Sequence, residues 1–465
     1  MNITFFKDKK ITVFGLGLHG GGVGVVKFLA EHGAKVIVTD LKTKEQLAPS
    51  LEKLKGLKNI SYVLGQHRAE DFTSVDMVIK NPAAPWTDKH IKLALEKKIP
   101  VEMDSSLFFK FCKNPIIGVT GTKGKTTTAT LIYEILKNAG KNPIKVGIGQ
   151  ASVLDKLLTL KKDSVVVFEL SSWRLSALGR AKLSPQIAVF KNIMPDHLNY
   201  YGTMEKYVQD KKYIFSNQKA KDWLVVNFDD QALMELAKEA TSQMIKFSYQ
   251  PMKKSRSVFL DDQDIYLNTG IDVVKLGTIK DIKIPGRHNL SNVMAAIGAS
   301  FAFGVKPLEI KKALPLLKGP LHRLEFVREL AGVKYYNDTA ATIPNAAISA
   351  LNSFVQPIVL IAGGTDKELD FSDFAKEICE KTKNVVLLRG TATEKLLNKI
   401  RKCADDDFAE KIDVVDSIEK AINLAKGYAA KGDVIVLSPG AASFGLFLNE
   451  FDRGDKFKDA VKRLK

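Results

Sequence analysis

A run of glycines, threonines and two lysines, Gly118-Val-Thr-Gly-Thr-Lys-Gly-Lys-Thr-Thr, lies between the apolar segment PIIGV and the helix-like TTATLIYEIL. Strand, glycine-rich turn and helix N-terminus together make an anion site, because backbone N–H groups and the helix dipole both favour a phosphate there. In such a loop Gly121, Thr122, Lys123, Gly124 and Thr127 form the cradle. Lys125 reaches the β- and γ-phosphates, and the Thr126 hydroxyl ligates magnesium. Val119 stands where the strict phosphate-loop pattern has its first glycine, so the spacing is a variant; an ATP site is still the expectation. Downstream, VVVFE ends in Glu169 and is followed by Ser171 and Ser172. A carboxylate at the C-terminal end of a parallel strand projects into the crevice where open α/β sheets bind ligands, so Glu169 is a candidate magnesium ligand. Asp196 and His197 follow the apolar QIAVFKNI in the same way, and the imidazole could coordinate a second magnesium or hydrogen-bond substrate. Lys211 and Lys212 fall on a helix-like segment, where two solvated lysines are the plainer reading of the residues alone. Near the N-terminus, Gly15-Leu-Gly-Leu-His-Gly follows ITVF and precedes VGVVKFLAEH, with Asp40 ending the next apolar run. This is the dinucleotide-type fingerprint, with an acidic residue placed to bond a ribose hydroxyl; the geometry accepts any nucleotide pyrophosphate, not only NAD.

Elements of two kinds must hold these groups. Short β-branched runs alternate with helix-length amphipathic stretches, which argues for α/β architecture with parallel sheets. Three blocks separate: 1–106 with ITVFGLG, KVIVTD, SYVLG and VDMVIKN; 107–319 with NPIIGVTG, VVVFELSSW, QIAVFKNIM and an antiparallel-looking SVFLDDQDIYLN; and 320–465 with VKYYND, PIVLIAGG, NVVLLRG and DVIVLSPG. The expected fold is a Rossmann-like domain, a central phosphate-loop ATPase-type domain and a second Rossmann-like domain. At 465 residues the chain is too long for one core. No run of about 18 apolar residues suggests a membrane span. The segment MNITFFKDKKITVFGLG enters a strand with no charged leader and apolar stretch, which points to a cytoplasmic location. The three cysteines, Cys112, Cys379 and Cys403, are far apart in sequence and lack C-x-x-C spacing, which argues against a zinc or disulfide framework. The formal net charge of +18 comes from scattered lysines without interleaved aromatics, so it reads as a solvated surface that attracts a polyanionic small substrate, not as a nucleic-acid platform.

Taken in order, TGTKGKTTT, FELSSW, NIMPDHLNYYG, PGRHNLSNVMAA, GPLHRLE, YNDTAAT, AGGTDKELDF and LSPGAASF…FDRG, together with the first fingerprint, resemble the Mur ligases across essentially the whole chain. Within that family the pattern is most similar to the branch that joins D-glutamate to UDP-N-acetylmuramoyl-L-alanine during peptidoglycan precursor synthesis. The resemblance implies ATP and two magnesium ions, with Lys125, Thr126, Glu169 and His197 at the phosphates and metals, and Lys211 carbamylated as a further metal ligand. It places Asn289 and Asn292 at adenine and brings Arg323 and Asp338 to the nucleotide from the C-terminal domain. Leu18, His19, Asp40 and Ser171 would contact the UDP-linked substrate, and Thr342, Lys367 and Ser443 the incoming amino acid. A monomer is implied. Three positions depart from the family pattern: Glu450 stands where a phenylalanine is usual, Asp338-Thr-Ala-Ala-Thr-Ile lacks the usual lysine, and Gln150 in VGIGQA is the stand-in for a substrate-gripping asparagine.

The chemistry expected is activation of a carboxylate, since an amine does not displace oxide from it at useful rates. The alanyl carboxylate attacks the γ-phosphorus to give an acyl phosphate and ADP, and glutamate nitrogen then displaces phosphate. Closure of the third domain should exclude water from the acyl phosphate. Three alternatives stand beside this reading: the same kind of ligase adding L-alanine or L-glutamate, an NAD-dependent oxidoreductase built on the first fingerprint, and a non-catalytic nucleotide-sugar-binding or nucleic-acid-binding protein suggested by the charge.

Overall fold

The computed structural model describes residues 3–465 apart from His19, residues 149–151 and Lys253, so the expectations for His19 and Gln150 lie outside the described residues. Three sheets follow one another along the chain. Two compact units contain them: Met1–Gly277 with Ser291–Ala313, and Thr278–Leu290 with Leu314–Lys465. Among the described residues, no helix is long and apolar enough to cross a membrane.

The first sheet has five strands, in the order Ile60–Leu64, Lys35–Asp40, Lys10–Phe14, Met77–Lys80, Val101–Glu102. All its pairings are parallel. Strand order reverses between Lys10–Phe14 and Met77–Lys80, and ligands bind at the carboxyl ends of the strands at such a switch point. Gly15 leaves the first of these strands with φ +93° and lies so near Asn81 that an added Cβ would stand 2.9 Å from the Asn81 Cβ. Only glycine combines that backbone conformation with that approach.

The second sheet has nine strands and lies in the same unit up to Gly277. At its centre Ile116–Thr120 pairs in parallel with Ser164–Glu169 on one side and Ile187–Phe190 on the other. The sequences IIGVT, VVVF and IAVF are buried on both faces, as strands covered by helices on each side must be. The expected antiparallel element is the hairpin Ser257–Asp261 with Asp264–Asn268, and Val273–Thr278 forms the outer edge beyond it. Two parallel strands, Trp223–Asn227 and Gln243–Ser248, link that hairpin to the centre.

The third sheet, in the second unit, runs Glu325–Leu330, Val333–Asn337, Val434–Leu437, Ile358–Gly363, Thr382–Leu388, Ile412–Val415. Its first pair is antiparallel and the rest are parallel. Buried helices flank it, among them Ser372–Lys381, Thr391–Ile400 and the final Glu450–Arg463. Cys379 and Cys403, distant in sequence, are brought together here: their Sγ atoms lie 2.7 Å apart as free thiols.

Candidate active site

Strand order in the second sheet places three loops side by side, because adjacent parallel strands deliver their carboxyl ends to one edge. Gly121 (φ +155°) and Gly124 (φ +83°) shape the loop that opens the helix Lys125–Asn138. A side chain on Gly124 would stand 2.4 Å from the Asn292 Oδ1, and one on Gly121 would stand 2.8 Å from the Lys191 Cβ. The loop is held from outside as well. Thr122 N donates to the Asn192 carbonyl (3.1 Å), Lys123 N donates to Asn192 Oδ1 (2.9 Å), and Thr128 Oγ1 donates to Asn292 Oδ1 (3.1 Å). Asn292, expected from the sequence at adenine, thus uses its side-chain carbonyl to brace the phosphate loop. Lys125 Nζ donates to the carbonyls of Gly121 and Thr122, each at 3.0 Å.

Glu169 ends its strand beside this loop, and its Oε2 accepts a 2.8 Å hydrogen bond from Thr126 Oγ1. A hydroxyl and a carboxylate side by side at the opening of a phosphate-type loop form a hard-oxygen pair, which suits magnesium held by few protein ligands and completed by phosphate oxygens and water. Among the described residues no three His, Cys, Asp or Glu side chains gather into a cluster that could hold a metal by themselves. His197 caps the short helix Leu198–Tyr201 with φ +53°, and its ring packs 5.0 Å from that of Trp173.

Lys211 lies on the helix Met204–Lys212, and its side chain is buried. Its Nζ donates 2.8 Å to the Gly121 carbonyl and lies 4.8 Å from the centre of the Tyr207 ring. Burial, reinforced by the charge of Lys125, pushes the Lys211 pKa well below that of a free lysine; Asp196 opposes this only partly. The solvated lysine expected from the residues alone is therefore not what folds. Lys212 does reach outward, to Glu239.

A cavity of about 460 Å³ joins the first two sheets, lined among others by Gly17, Gly22, Lys80, Asn81, Ser171 and Arg174. It sits at the switch point of the first sheet and at the start of the helix Ser172–Arg180, where the Ser171 hydroxyl accepts from Arg174 N. Asp40 does not reach into open space: Oδ2 accepts from Leu16 N (2.9 Å) and Gly17 N (3.0 Å), and Oδ1 from Lys42 N (2.9 Å). Its carboxylate fixes the glycine loop. Leu18 is exposed on that loop. Lys80, which the sequence reading passed over, is buried at the wall, with its ammonium 4.7 Å from the Trp86 ring centre, and burial with Arg180 nearby lowers its pKa to about 7. Its only sequence signal was a lysine closing the apolar strand MVIK.

In the second unit the third sheet gathers Asp338, the loop 438–443 and the loop 364–370 at its carboxyl edge. Thr365 bridges Ala442, and Asp338 Oδ2 accepts from Ser438 Oγ at 2.8 Å while Oδ1 accepts from Leu324 N at 3.1 Å. Arg453 ties these loops together from inside the protein. Its fully buried guanidinium donates to Thr339 Oγ1 and to the carbonyls of Thr339, Ala441 and Ala442. The FDRG string contained this arginine, but only the fold reveals its partners. Ser443 Oγ is buried without a hydrogen-bond partner, whereas Lys367 and Arg323 are exposed and Thr342 is half-buried. Asn289 Nδ2 donates to the Pro285 carbonyl. Glu450 opens the final helix, and its carbonyl accepts from Thr339 Oγ1.

Burial raises the Asp338 carboxyl to about 7, outweighing the two hydrogen bonds and Arg323, which act to lower it. An acid whose folded pKa lies above its unfolded value stabilises the fold fully below the unfolded pKa near 3.8, and that stability is lost as pH rises through about 7. The span corresponds to about 4 kcal/mol at most. Asp338→Asn, which keeps one of the two acceptor oxygens and cannot ionise, should therefore flatten the decline in denaturation free energy between about pH 4 and 7. Urea titrations across that range, followed by hydrogen exchange in the second unit, check this; an unchanged slope would refute it.

The three sheets coincide with three family models. An N-terminal domain of the MurD-like Mur ligases matches residues 9–102, the Mur ligase middle domain residues 119–300, and the Mur ligase glutamate ligase domain residues 322–440. The chain belongs to the Mur ligase family. Curated relatives extend over its full length. A UDP-N-acetylmuramoylalanine–D-glutamate ligase of Roseiflexus sp. (strain RS-1) is 42% identical, with 98% of each chain covered. Proteins of the same name from Clostridioides difficile and Borreliella afzelii are 36% and 37% identical, covering 99% and 100% of each chain. The fold of this Mur ligase also matches solved structures. One is the UDP-N-acetylmuramate-alanine ligase of Thermotoga maritima (TM-score 0.56, 20% identity, 98% of this chain and 100% of that one). Another is the MurF ligase of the same organism in complex with ADP (0.56, 19%, 100% and 97%). Family membership leaves the oxidoreductase reading of the first fingerprint without support.

Proposed function

We propose that this Mur ligase uses ATP to join D-glutamate to UDP-N-acetylmuramoyl-L-alanine, as the names of its full-length relatives describe for those proteins. The observation that carries the reading is the shared cavity. One wall is the glycine loop of the first sheet and the other is the turn 171–174, one strand end away from the phosphate loop. An elongated acceptor can therefore anchor its nucleotide end in the first sheet and present its carboxylate near Thr126 and Glu169. The division of labour follows the blocks 1–106, 107–319 and 320–465: acceptor, ATP and amino acid.

The acceptor carboxylate attacks the γ-phosphorus, the bond to the ADP oxygen breaks, and an acyl phosphate forms. The amino group of the incoming residue attacks the acyl carbon, phosphate departs and the amide remains. Lys125 and the loop N–H groups position the phosphates and offset their charge, which is most of what phosphoryl transfer requires. Thr126 and Glu169 would hold magnesium, which neutralises phosphate charge when bound. His197 would orient the substrate carboxylate. Lys211, buried with its pKa pushed down, is placed so that its amine can attack carbon dioxide, lose a proton and become a carbamate, and in that anionic form it would serve a second magnesium. Leu18, His19 and Ser171 would line the acceptor site with the loop that Asp40 fixes. Asn289, Arg323 and Asp338 would serve the nucleotide, and Thr342, Lys367 and Ser443 the dicarboxylate. The enzyme acts as a cytoplasmic monomer.

Phosphate release with UDP-N-acetylmuramoyl-L-alanine, ATP and a panel of amino acids tests the assignment. D-Glutamate should support turnover, and L-glutamate and L-alanine should not. No turnover with D-glutamate, or faster turnover with either competitor, would overturn it.

A further inference from the structure

Two of the three cysteines meet on the flank of the third sheet. Cys379 lies near the end of the helix Ser372–Lys381, and Cys403 follows the helix Thr391–Ile400. Both sulfurs converge on one carbonyl: Cys403 Sγ lies 3.2 Å and Cys379 Sγ 3.8 Å from the oxygen of Ile400. They stand 2.7 Å from each other, and a disulfide bond of about 2 Å needs only a small further approach. Cys403 is exposed and Cys379 half-buried, so one thiol meets solvent while the other waits behind it. That is the arrangement of an attacking and a resolving cysteine.

We propose that Cys379 and Cys403 form a reversible redox site that an oxidant of the peroxide class closes to a disulfide. Cys403 sulfur attacks a peroxide oxygen, the O–O bond breaks, and a sulfenic acid and one water result. Cys379 sulfur then attacks the Cys403 sulfur, the S–O bond breaks, and the thiol proton leaves with the departing hydroxide as a second water. Two thiols and one peroxide thus give one disulfide and two waters, a two-electron oxidation of the protein.

The bond joins two helices that border the loop carrying Lys367. The helix Thr391–Ile400 already holds that loop by side chains. Asp366 N donates to Thr391 Oγ1 at 2.9 Å, Lys395 pairs with Asp366, and Lys399 lies 3.8 Å from Asp370. Closing the far ends of the helix pair therefore stiffens the support of the loop without touching it. A covalent link over this stretch also restricts the unfolded chain.

Full-length protein treated with one equivalent of hydrogen peroxide, alkylated and mapped by mass spectrometry tests the site. The expected product is a peptide pair linked through Cys379 and Cys403, about 2 Da lighter than the two free peptides, with Cys112 alkylated and the link reversed by dithiothreitol. Oxidation should raise the thermal transition of the second unit by about 5 °C. The rise should vanish in Cys379→Ser and in Cys403→Ser and persist in Cys112→Ser. Sulfinic acid at Cys403 with Cys379 still alkylatable, or links between separate chains, would overturn the proposal. So would a thermal shift that survives both serine variants.

Discussion

Replacing Lys125 by alanine should lower kcat by about a hundredfold or more, the scale on which a preorganised charge at the reacting phosphate contributes. The cost to folding should be small, because Lys125 donates to two loop carbonyls at a partly exposed site, and Gly121 keeps its second donor, Lys211. Steady-state phosphate release with saturating substrates, alongside circular dichroism and thermal unfolding of the same preparation, separates the two effects. A variant retaining more than about a tenth of the wild-type kcat would mean that the phosphates rest elsewhere.

Arg453→Met should be the most destabilising single substitution in the second unit. Methionine fills part of the volume but donates nothing, so the carbonyls of Thr339, Ala441 and Ala442 and the Thr339 hydroxyl lose the guanidinium they share. The Ala442 carbonyl keeps Thr365 N as a donor, but each buried acceptor left unpaired costs about 1–3 kcal/mol. Partial repair by water and relaxation should leave a net loss of about 3–5 kcal/mol. Burial already lowers the arginine pKa to about 10, which shows that this charge is kept in place against a desolvation cost. Since Trp86, Trp173 and Trp223 all lie in the first unit, tryptophan emission is blind to the change. Hydrogen exchange of peptides spanning 338–343 and 438–446 should accelerate sharply, with the phosphate loop unaffected. Wild-type protection in both peptides would show that the guanidinium is not what holds the loops.

The parts of this molecule legible in the sequence are those set by local pattern. IIGV followed by TGTKGKTT can hardly be other than strand, anion loop and helix, and VVVFE delivers its carboxylate to the same edge because the two strands are neighbours. The antiparallel hairpin was visible in the more polar stretch SVFLDDQDIYLN. Long-range placements were hidden. Little in the sequence marks Lys211 as buried: Tyr207 lies one helical turn away, but the Gly121 carbonyl that Nζ meets is 90 positions distant. Asp40 carried the right spacing for a ribose contact, yet its oxygens meet three backbone amides that only the folded loop presents. Arg453 and the Cys379–Cys403 pair depend on partners 11 to 114 positions away, and no periodicity encodes those distances.

The outermost strands have a bearing on behaviour at high concentration. An unpaired strand edge is a template on which another molecule can stack, and long apolar edges invite fibrous self-association. Here Val273–Thr278 interrupts its edge with Lys275, paired to Asp264 at 2.5 Å, and Glu325–Leu330 carries Arg328 and Glu329. Arg328 reaches the carbonyls of Val461, Lys462 and Leu464, so the last turns of the chain drape over that border. With a formal charge of +18 adding mutual repulsion, such borders should keep neighbouring molecules from zipping together in a crowded solution.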